Sequence, residues 1–377
     1  MLFRFGFAAR LLIVALPFVI IQVDVSGAQT TTGALRSPFV IPITPKGQKK
    51  AGEDKNRCKT APRPVLTLAT TSMYNQNDPT RSQKDKDANE RYLKAITPIR
   101  DYAQEVAKFA NNYVRSGAKT TAYAECTIDW LYAWAREGAL TDLRTPQAIF
   151  NVGQLLAGFS MAYLEVRDNP YLDTQKKAMI ETWLNDLAGR VRQSITNDYV
   201  QGKNSAFANH RYWAGYGVGA AGVAVNNPDH FMWGIDSARI GLREVQPDGS
   251  LPREMKRASR ARDYHVFSVA PLVMMAELGY ANGINLYVEQ DNALHRLIRL
   301  VLSANKDPSY FEKATGKKQE PYPDGDDGIP SSRLGWLEPY HKRFPSALSK
   351  QILDDKRSVA STALGGNTTL LYTGKDD

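Results

Sequence analysis

The chain has 377 residues, 43% of them hydrophobic and 23% charged, with a formal net charge of +9 and only two cysteines. This composition excludes a collagen-like chain, a disulfide-dense mini-protein and a largely disordered one. Five unclustered histidines and one cysteine pair leave little for a structural zinc site. The basic excess admits nucleic acid, an anionic membrane or an acidic polymer as partner and does not choose among them.

Arg4 and Arg10 precede an apolar run from Leu11 to Val23, and Ser26-Gly27-Ala28 forms a small-x-small site before Gln29. These are the three parts of a Sec-type signal peptide over 1–28. The run is about 13 residues long and holds Pro17, too short for the roughly 20 apolar residues of a spanning helix. The expectation is an exported, periplasmic chain with no membrane attachment after cleavage. Export disfavours nucleic acid and makes an acidic extracellular polymer the natural partner. It also permits a disulfide. Cys58 and Cys126 are the only pair, so its existence is open but not its connectivity. It would tie the N-terminal segment to the helical body, worth about 2–4 kcal/mol.

Residues 29–65, rich in Thr, Pro, Lys and Gly, predict an irregular arm. Residues 66–85 begin apolar and turn polar, a long loop of the kind that often serves as a lid. Arm and lid loop together take 29–87. From 88 onward the pattern is helical. Thr145 and Pro146 open the clearest segment, where Ile149, Val152, Leu155, Leu156, Phe159, Tyr163 and Val166 recur at three- and four-residue steps. Other helices are predicted near 90–115, 124–137, 173–195, 207–225, 229–244, 260–280 and 286–303. Short links between antiparallel helix pairs predict an all-α helical toroid or array over 88–345. Residues 304–345 read as loops, and 346–377 as a polar tail poorly ordered at its end.

Two constellations carry candidate chemistry. In Asn209-His210-Arg211-Tyr212-Trp213, Asn209 and Trp213 share a helical face. A helix start with a satisfied buried histidine gives the same pattern. Between Arg253 and Arg262 lie five basic side chains and one acid. On a continuous helix, Arg253, Arg257, Arg260 and Tyr264 would form one column, placing a phenol beside guanidinium groups. A solvated basic face is the plain alternative. The chemical one is carboxylate recognition by arginine forks, with a nearby cation lowering the tyrosine pKa. No GxSxG, P-loop, GxGxxG or HExxH pattern occurs.

In order along the chain stand Cys58, Cys126 with Trp134-Ala135-Arg136 after it, Asn209-His210 with Tyr212-Trp213, and Asp248-Gly249 leading to Leu251-Pro252. Glu254, Lys256-Arg257, Arg260-Ala261, Tyr264-His265, Ala270-Pro271-Leu272 and Trp336-Leu337-Glu338-Pro339-Tyr340 follow. This ordered set, over roughly 58–345, resembles the family 5 polysaccharide lyases that act on alginate as poly(β-D-mannuronate) lyases. The resemblance implies an α/α toroid, an incomplete barrel of antiparallel helix pairs. It implies β-elimination on an anionic polysaccharide, alginate or polymannuronate, by a chain with no cofactor and no metal, expected as a monomer. Tyr264 matches the catalytic tyrosine. Asn209, His210 and Arg257 match the groups that neutralise the substrate carboxylate. Tyr74 matches a lid tyrosine, and Arg81, Trp213 and Arg260 are further candidates for substrate contact. Met73 departs from the pattern, since relatives tend to carry a basic residue there; Arg81 or Lys84 could supply that charge. Glucuronan is the nearest alternative substrate, and a polysaccharide-binding export scaffold the alternative of another class.

Overall fold

The computed structural model describes residues 33–41, 58–322 and 327–375. The chain divides into one unit over Met1–Gly33 and another over Ala34–Asp377; the fold below is that of the second. The segment read as a signal peptide lies outside the described residues.

The long helices are α1 (Lys86–Arg115), α2 (Thr121–Ala135), α3 (Pro146–Val166), α4 (Thr174–Val200), α5 (Asn209–Ala224) and α6 (Pro228–Glu244). After the single turn α7 (Pro252–Met255) come α8 (Ala261–Ala281) and α9 (Glu289–Ser303). Each predicted helix is present, and the local signals act as expected. Thr145 accepts a hydrogen bond from the Ala148 N–H beside Pro146, and Asp173 caps α4 through the N–H groups of Gln175 and Lys176. α1, α3, α5 and α8 run parallel. At one end Asn151 donates to the Tyr92 hydroxyl (3.0 Å), Phe150 stacks on His210 and Trp213 donates to the Phe267 carbonyl. At the other end Asn111 donates to Glu165 (2.8 Å) and Arg167 to the Val223 carbonyl (2.7 Å). α2, α4, α6 and α9 return on the outside, so the hairpins curl into the expected α/α toroid. α5 is the central stave, and its glycines let it be: a Cβ at Gly217 would lie 2.1 Å from the Gly153 carbonyl oxygen. α3 is apolar and long enough to cross a membrane, but most of it is buried as core.

The segment expected as loops and tail closes the ring instead. α10 (Ser309–Thr315), α11 (Leu337–Arg343), α12 (Ala347–Lys356) and α13 (Thr368–Thr373) are all formed. Leu370, Leu371 and Tyr372 are buried. Two arginines from this region enter the core as forks on carboxylates: Arg343 on Glu277 of α8 (2.9 and 2.6 Å), and Arg357 on Glu338 (2.8 and 3.1 Å). Towards α1, Asn111 accepts from the Asn367 N–H (2.7 Å) and donates to the Gly365 carbonyl (2.9 Å). The N-terminal strand of chain at 34–40 crosses the same ends of the helices. There Asn226 and Asn282 take the N–H groups of Leu35 and Arg36, and Leu35 and Phe39 are buried.

Among the described residues Glu165 is held by the Asn111 amide alone. It is 1% exposed, its Oε1 has no partner among the described residues, and burial, opposed by the Asn111 hydrogen bond, raises its pKa well above the usual carboxylate range. The folded state therefore holds a proton that the unfolded state releases, so stability falls as pH rises from the unfolded pKa towards the folded one. Glu165→Gln should flatten the decline of Tm as pH rises above the ordinary carboxylate range; an unchanged slope in thermal melts from acid to alkaline pH would contradict this.

The Cys58–Cys126 disulfide is present, with the Cα atoms 5.5 Å apart. It pins the chain along α2, where Trp130 and Trp134 donate to the carbonyls of Lys59 and Pro62 (2.7 and 3.1 Å). β1 (Thr67–Leu68) then pairs in parallel with β2 (Asp142–Leu143). From there the expected loop arches over the N-terminal ends of the inner helices and returns through a Tyr74–Lys84 bridge.

Candidate active site

Asn209 opens α5. Its backbone N–H and its Nδ2 both donate to the carboxylate of Glu254, at 2.9 Å for the first and 3.0 Å to each oxygen for the second. This fixes the amide, and leaves Asn209 Oδ1 buried without a partner among the described residues. Glu254 is 1% exposed; burial raises its pKa, against the pull of the Asn209 bonds. His210 lies over Phe150, ring centroids 4.0 Å apart. Burial, reinforced by Arg257, lowers its pKa to about 4, so the imidazole is neutral at pH 7.

The stretch 253–264 is not one helix. α7 ends at Met255, Ala258 takes φ +50°, a 3-10 turn spans Ala258–Arg260, and α8 begins at Ala261. His265 clamps this break, accepting the Leu251 N–H at Nε2 (2.9 Å) and meeting the Ala261 carbonyl through Nδ1 (2.7 Å). The predicted column is thereby split. Arg253 pairs with Glu244 (3.1 Å), Lys256 is exposed, and Arg262 is buried against Tyr322 and the Glu320 carbonyl. Only Arg257 and Arg260 remain near Tyr264. Arg257 lies 3.7 Å above the Tyr264 ring and donates to its hydroxyl through Nη2. The expectation of a lowered tyrosine pKa fails in this state. Burial, then Tyr74, hold Tyr264 well above the ordinary phenol range, and Arg257 opposes without overcoming them.

Tyr74 hangs from the lid into the same corner, 5.1 Å from the Arg257 guanidinium and 5.8 Å from that of Arg260. Arg260 donates to the Ser82 carbonyl (2.7 Å) and pairs with Asp263 (3.5 Å). Arg81 contributes its carbonyl, which accepts from Arg257 (2.6 Å); its guanidinium folds back along the lid to the Asn75 carbonyl. Trp213 lies behind the site, 5% exposed, with its indole N–H spent on the Phe267 carbonyl (3.1 Å). Met73 is half-buried against the core, and Lys84 is exposed.

Three groups came with no role from the sequence. Glu254 stood among the matched residues, but nothing in its spacing marks it as the partner of Asn209, 45 residues away. Phe150 read as part of an apolar helix. Arg333 comes from a segment read as loop and pairs with Asp263, the neighbour of Tyr264. A cavity of about 300 Å³ lies alongside, between α1 and α3, lined in part by Arg100, Gln104, Asn151, Gln154, Ser361 and Thr362.

A neutral imidazole, a fixed amide, a guanidinium and a phenol thus meet under a lid at one end of a helical toroid. Such a corner can hold a carboxylate and carry a proton. The alginate lyase family model matches residues 41–311. A polysaccharide lyase of Stenotrophomonas maltophilia is 34% identical over 78% of this chain and 83% of its own length. An alginate lyase of Pseudomonas syringae pv. syringae is 31% identical over 94% of each. Among solved structures, alginate lyase A1-III of Sphingomonas species A1 superimposes with a TM-score of 0.71 at 24% identity, over 86% of this chain and 88% of that one. A Tyr-to-Phe variant of A1-III in complex with a tetrasaccharide gives 0.72 at 25% identity, over 85% and 88%. The chain belongs to the alginate lyase family.

Proposed function

We propose that this lyase cuts mannuronate-rich alginate by β-elimination, with Tyr264 as base and acid and with Asn209, His210 and Arg257 at the substrate carboxylate. The observation that carries this reading is the Arg257–Tyr264 contact in the corner that holds His210 and Asn209. The C5 proton of a uronate lies α to a carboxylate, and its removal builds a second negative charge beside the first. Arg257, and the N–H of the neutral His210 ring, are donors suited to that enolate-like state. Asn209 Nδ2 already serves Glu254, so its share is smaller or needs a shift of the amide.

In mannuronate, H5 and the C4–O bond lie on one side of the ring, so a single group can serve both. The Tyr264 oxygen takes the C5 proton, the C5 electron pair forms the C4–C5 double bond, and the C4–O bond breaks. The departing oxygen then receives the proton from Tyr264. The product carries a 4,5-unsaturated uronate at its new non-reducing end. Because the resting Tyr264 is a protonated phenol, the base form grows with pH, and kcat should rise into the alkaline range.

Purified protein should raise the ultraviolet absorbance of polymannuronate more than that of polyguluronate or glucuronan. A larger signal on glucuronan would move the substrate to that polymer. New reducing ends without absorbance would mean hydrolysis, and binding without either would mean a scaffold; both outcomes would overturn the proposal. The N-terminal pattern from Arg4 to Ala28 supports the periplasm as the place of action.

A further inference from the structure

The lid is built around one carboxylate. Asp78 Oδ1 accepts from the Thr80 N–H (2.9 Å) and hydroxyl (2.7 Å). Its Oδ2 accepts from the Ser82 N–H (2.8 Å), the Ser82 hydroxyl (3.2 Å) and the Gln83 N–H (3.0 Å). Arg81 stands between the residues so caught, its N–H on the Asp78 carbonyl (3.1 Å) and its φ at +51°. A side-chain-bearing residue keeps that conformation only where its surroundings hold it. Its effect is to aim two successive carbonyls at the site: Arg81 O at Arg257 and Ser82 O at Arg260.

Arg257 has few other holds. No carboxylate among the described residues is ion-paired with it, and its Nε is buried without a partner. Among the described residues its hydrogen bonds go to the lid carbonyl and to the Tyr264 hydroxyl. A guanidinium is a rigid planar fork, so fixing one N–H edge on a carbonyl sets where the other edges point.

We propose that Asp78 is a positioning residue for the elimination: its carboxylate holds the Arg81–Ser82 turn, whose carbonyls hold Arg257 and Arg260 in place against Tyr264 and Tyr74. Closure of the lid then completes the electrostatics of the site as well as covering it. This rests on the roles given above to Tyr264 and Arg257. Asp78 itself stays ionised at any working pH, because the Thr80 and Gln83 bonds hold its carboxyl well below the usual range.

The test compares Asp78→Ala and Asp78→Asn with the wild type. Three charged or titratable groups act on the Tyr264 hydroxyl: Tyr74 from the lid, and Arg257 and Glu254 from the segment before α8. Of these, Arg257 is the one that lowers its pKa. Asp78→Ala should reduce kcat by about 10–100-fold with KM changed less than about threefold, and move the rising limb of the kcat–pH profile to higher pH. Asp78→Asn, which keeps an acceptor oxygen, should fall between. A normal kcat and an unmoved limb would overturn the proposal, as would a loss explained by a lower folded fraction with the limb unmoved. Two measurements need no turnover: hydrogen exchange at the Ser82 and Gln83 amides, and Tyr264 titration by carbon-13 tyrosine NMR without substrate. If the wild type makes no unsaturated product, the proposed activity falls. Faster exchange and a raised Tyr264 titration in Asp78→Ala would still establish the positioning, and an unchanged titration would refute it.

Discussion

Tyr264→Phe should lower kcat on polymannuronate by at least roughly 10³-fold, with KM within about threefold, because one hydroxyl is asked to act as both base and acid. The substitution removes a single oxygen. The ring keeps its place 3.7 Å beneath Arg257 and edge-on to Phe267 at 6.1 Å, so the cleft keeps its shape and its charge. Initial rates from the unsaturated product give kcat, and calorimetric titration with a short oligomannuronate gives affinity. Turnover at the wild-type rate would remove Tyr264 from the chemistry. Loss of affinity to match the loss of rate would make it a binding group instead.

Arg343→Ala should cost about 3–5 kcal/mol of stability, although Arg343 lies far from the cleft. Its partner Glu277 is 2% exposed and also accepts from the Tyr287 hydroxyl (2.7 Å). Truncating the arginine leaves that carboxylate buried without its cation, which is far worse than removing both charges. A double variant, Arg343→Met with Glu277→Leu, should therefore recover much of the loss. Urea unfolding of the single and double variants reads both effects. A single variant within about 1 kcal/mol of wild type would show that the pair does not hold the ring closed.

The long helices from 86 to 303 were legible by their apolar period, and α3 and α4 also by a start signal, Thr145-Pro146 and Asp173. The closing segment has caps at Ser346 and Asn367 but no sustained apolar period. α13 is only six residues long, and the polar residues that enter the core, Arg343 and Arg357, look like surface until their carboxylates are brought to them. At the site, Arg257 and Tyr264 do meet as their spacing suggested, but by another route. The 3-10 turn and the break at Ala258 keep these two together while turning Arg253 and Arg262 away. Trp213, a candidate for substrate contact, is buried with its indole N–H on the Phe267 carbonyl; periodicity does not tell a wall from a lining. Asp78 lay within the stretch 66–85 that read as a long loop; that the Arg81 and Ser82 carbonyls would face Arg257 and Arg260 depends on tertiary contact alone.

The common direction of α1, α3, α5 and α8 gives the molecule an electrical polarity that no count of side chains reveals. A helix carries roughly half a positive charge at its N-terminus, and all four N-termini lie at the lid end. Those of α1 and α5 are already occupied by carboxylates, Asp85 through the Ala88 N–H and Glu254 through the Asn209 N–H. Those of α3 and α8 make the backbone itself a source of positive potential for an anionic chain. Removing the arginines of the cleft one at a time would therefore weaken its hold on a polyanion in small steps, while the ring-closing contacts gather at the opposite, carbonyl-rich ends. Under the proposed function, attraction for the polymer is thus in part a property of the barrel's parallel inner helices, and the side chains around Tyr264 are left to decide which bond is cut.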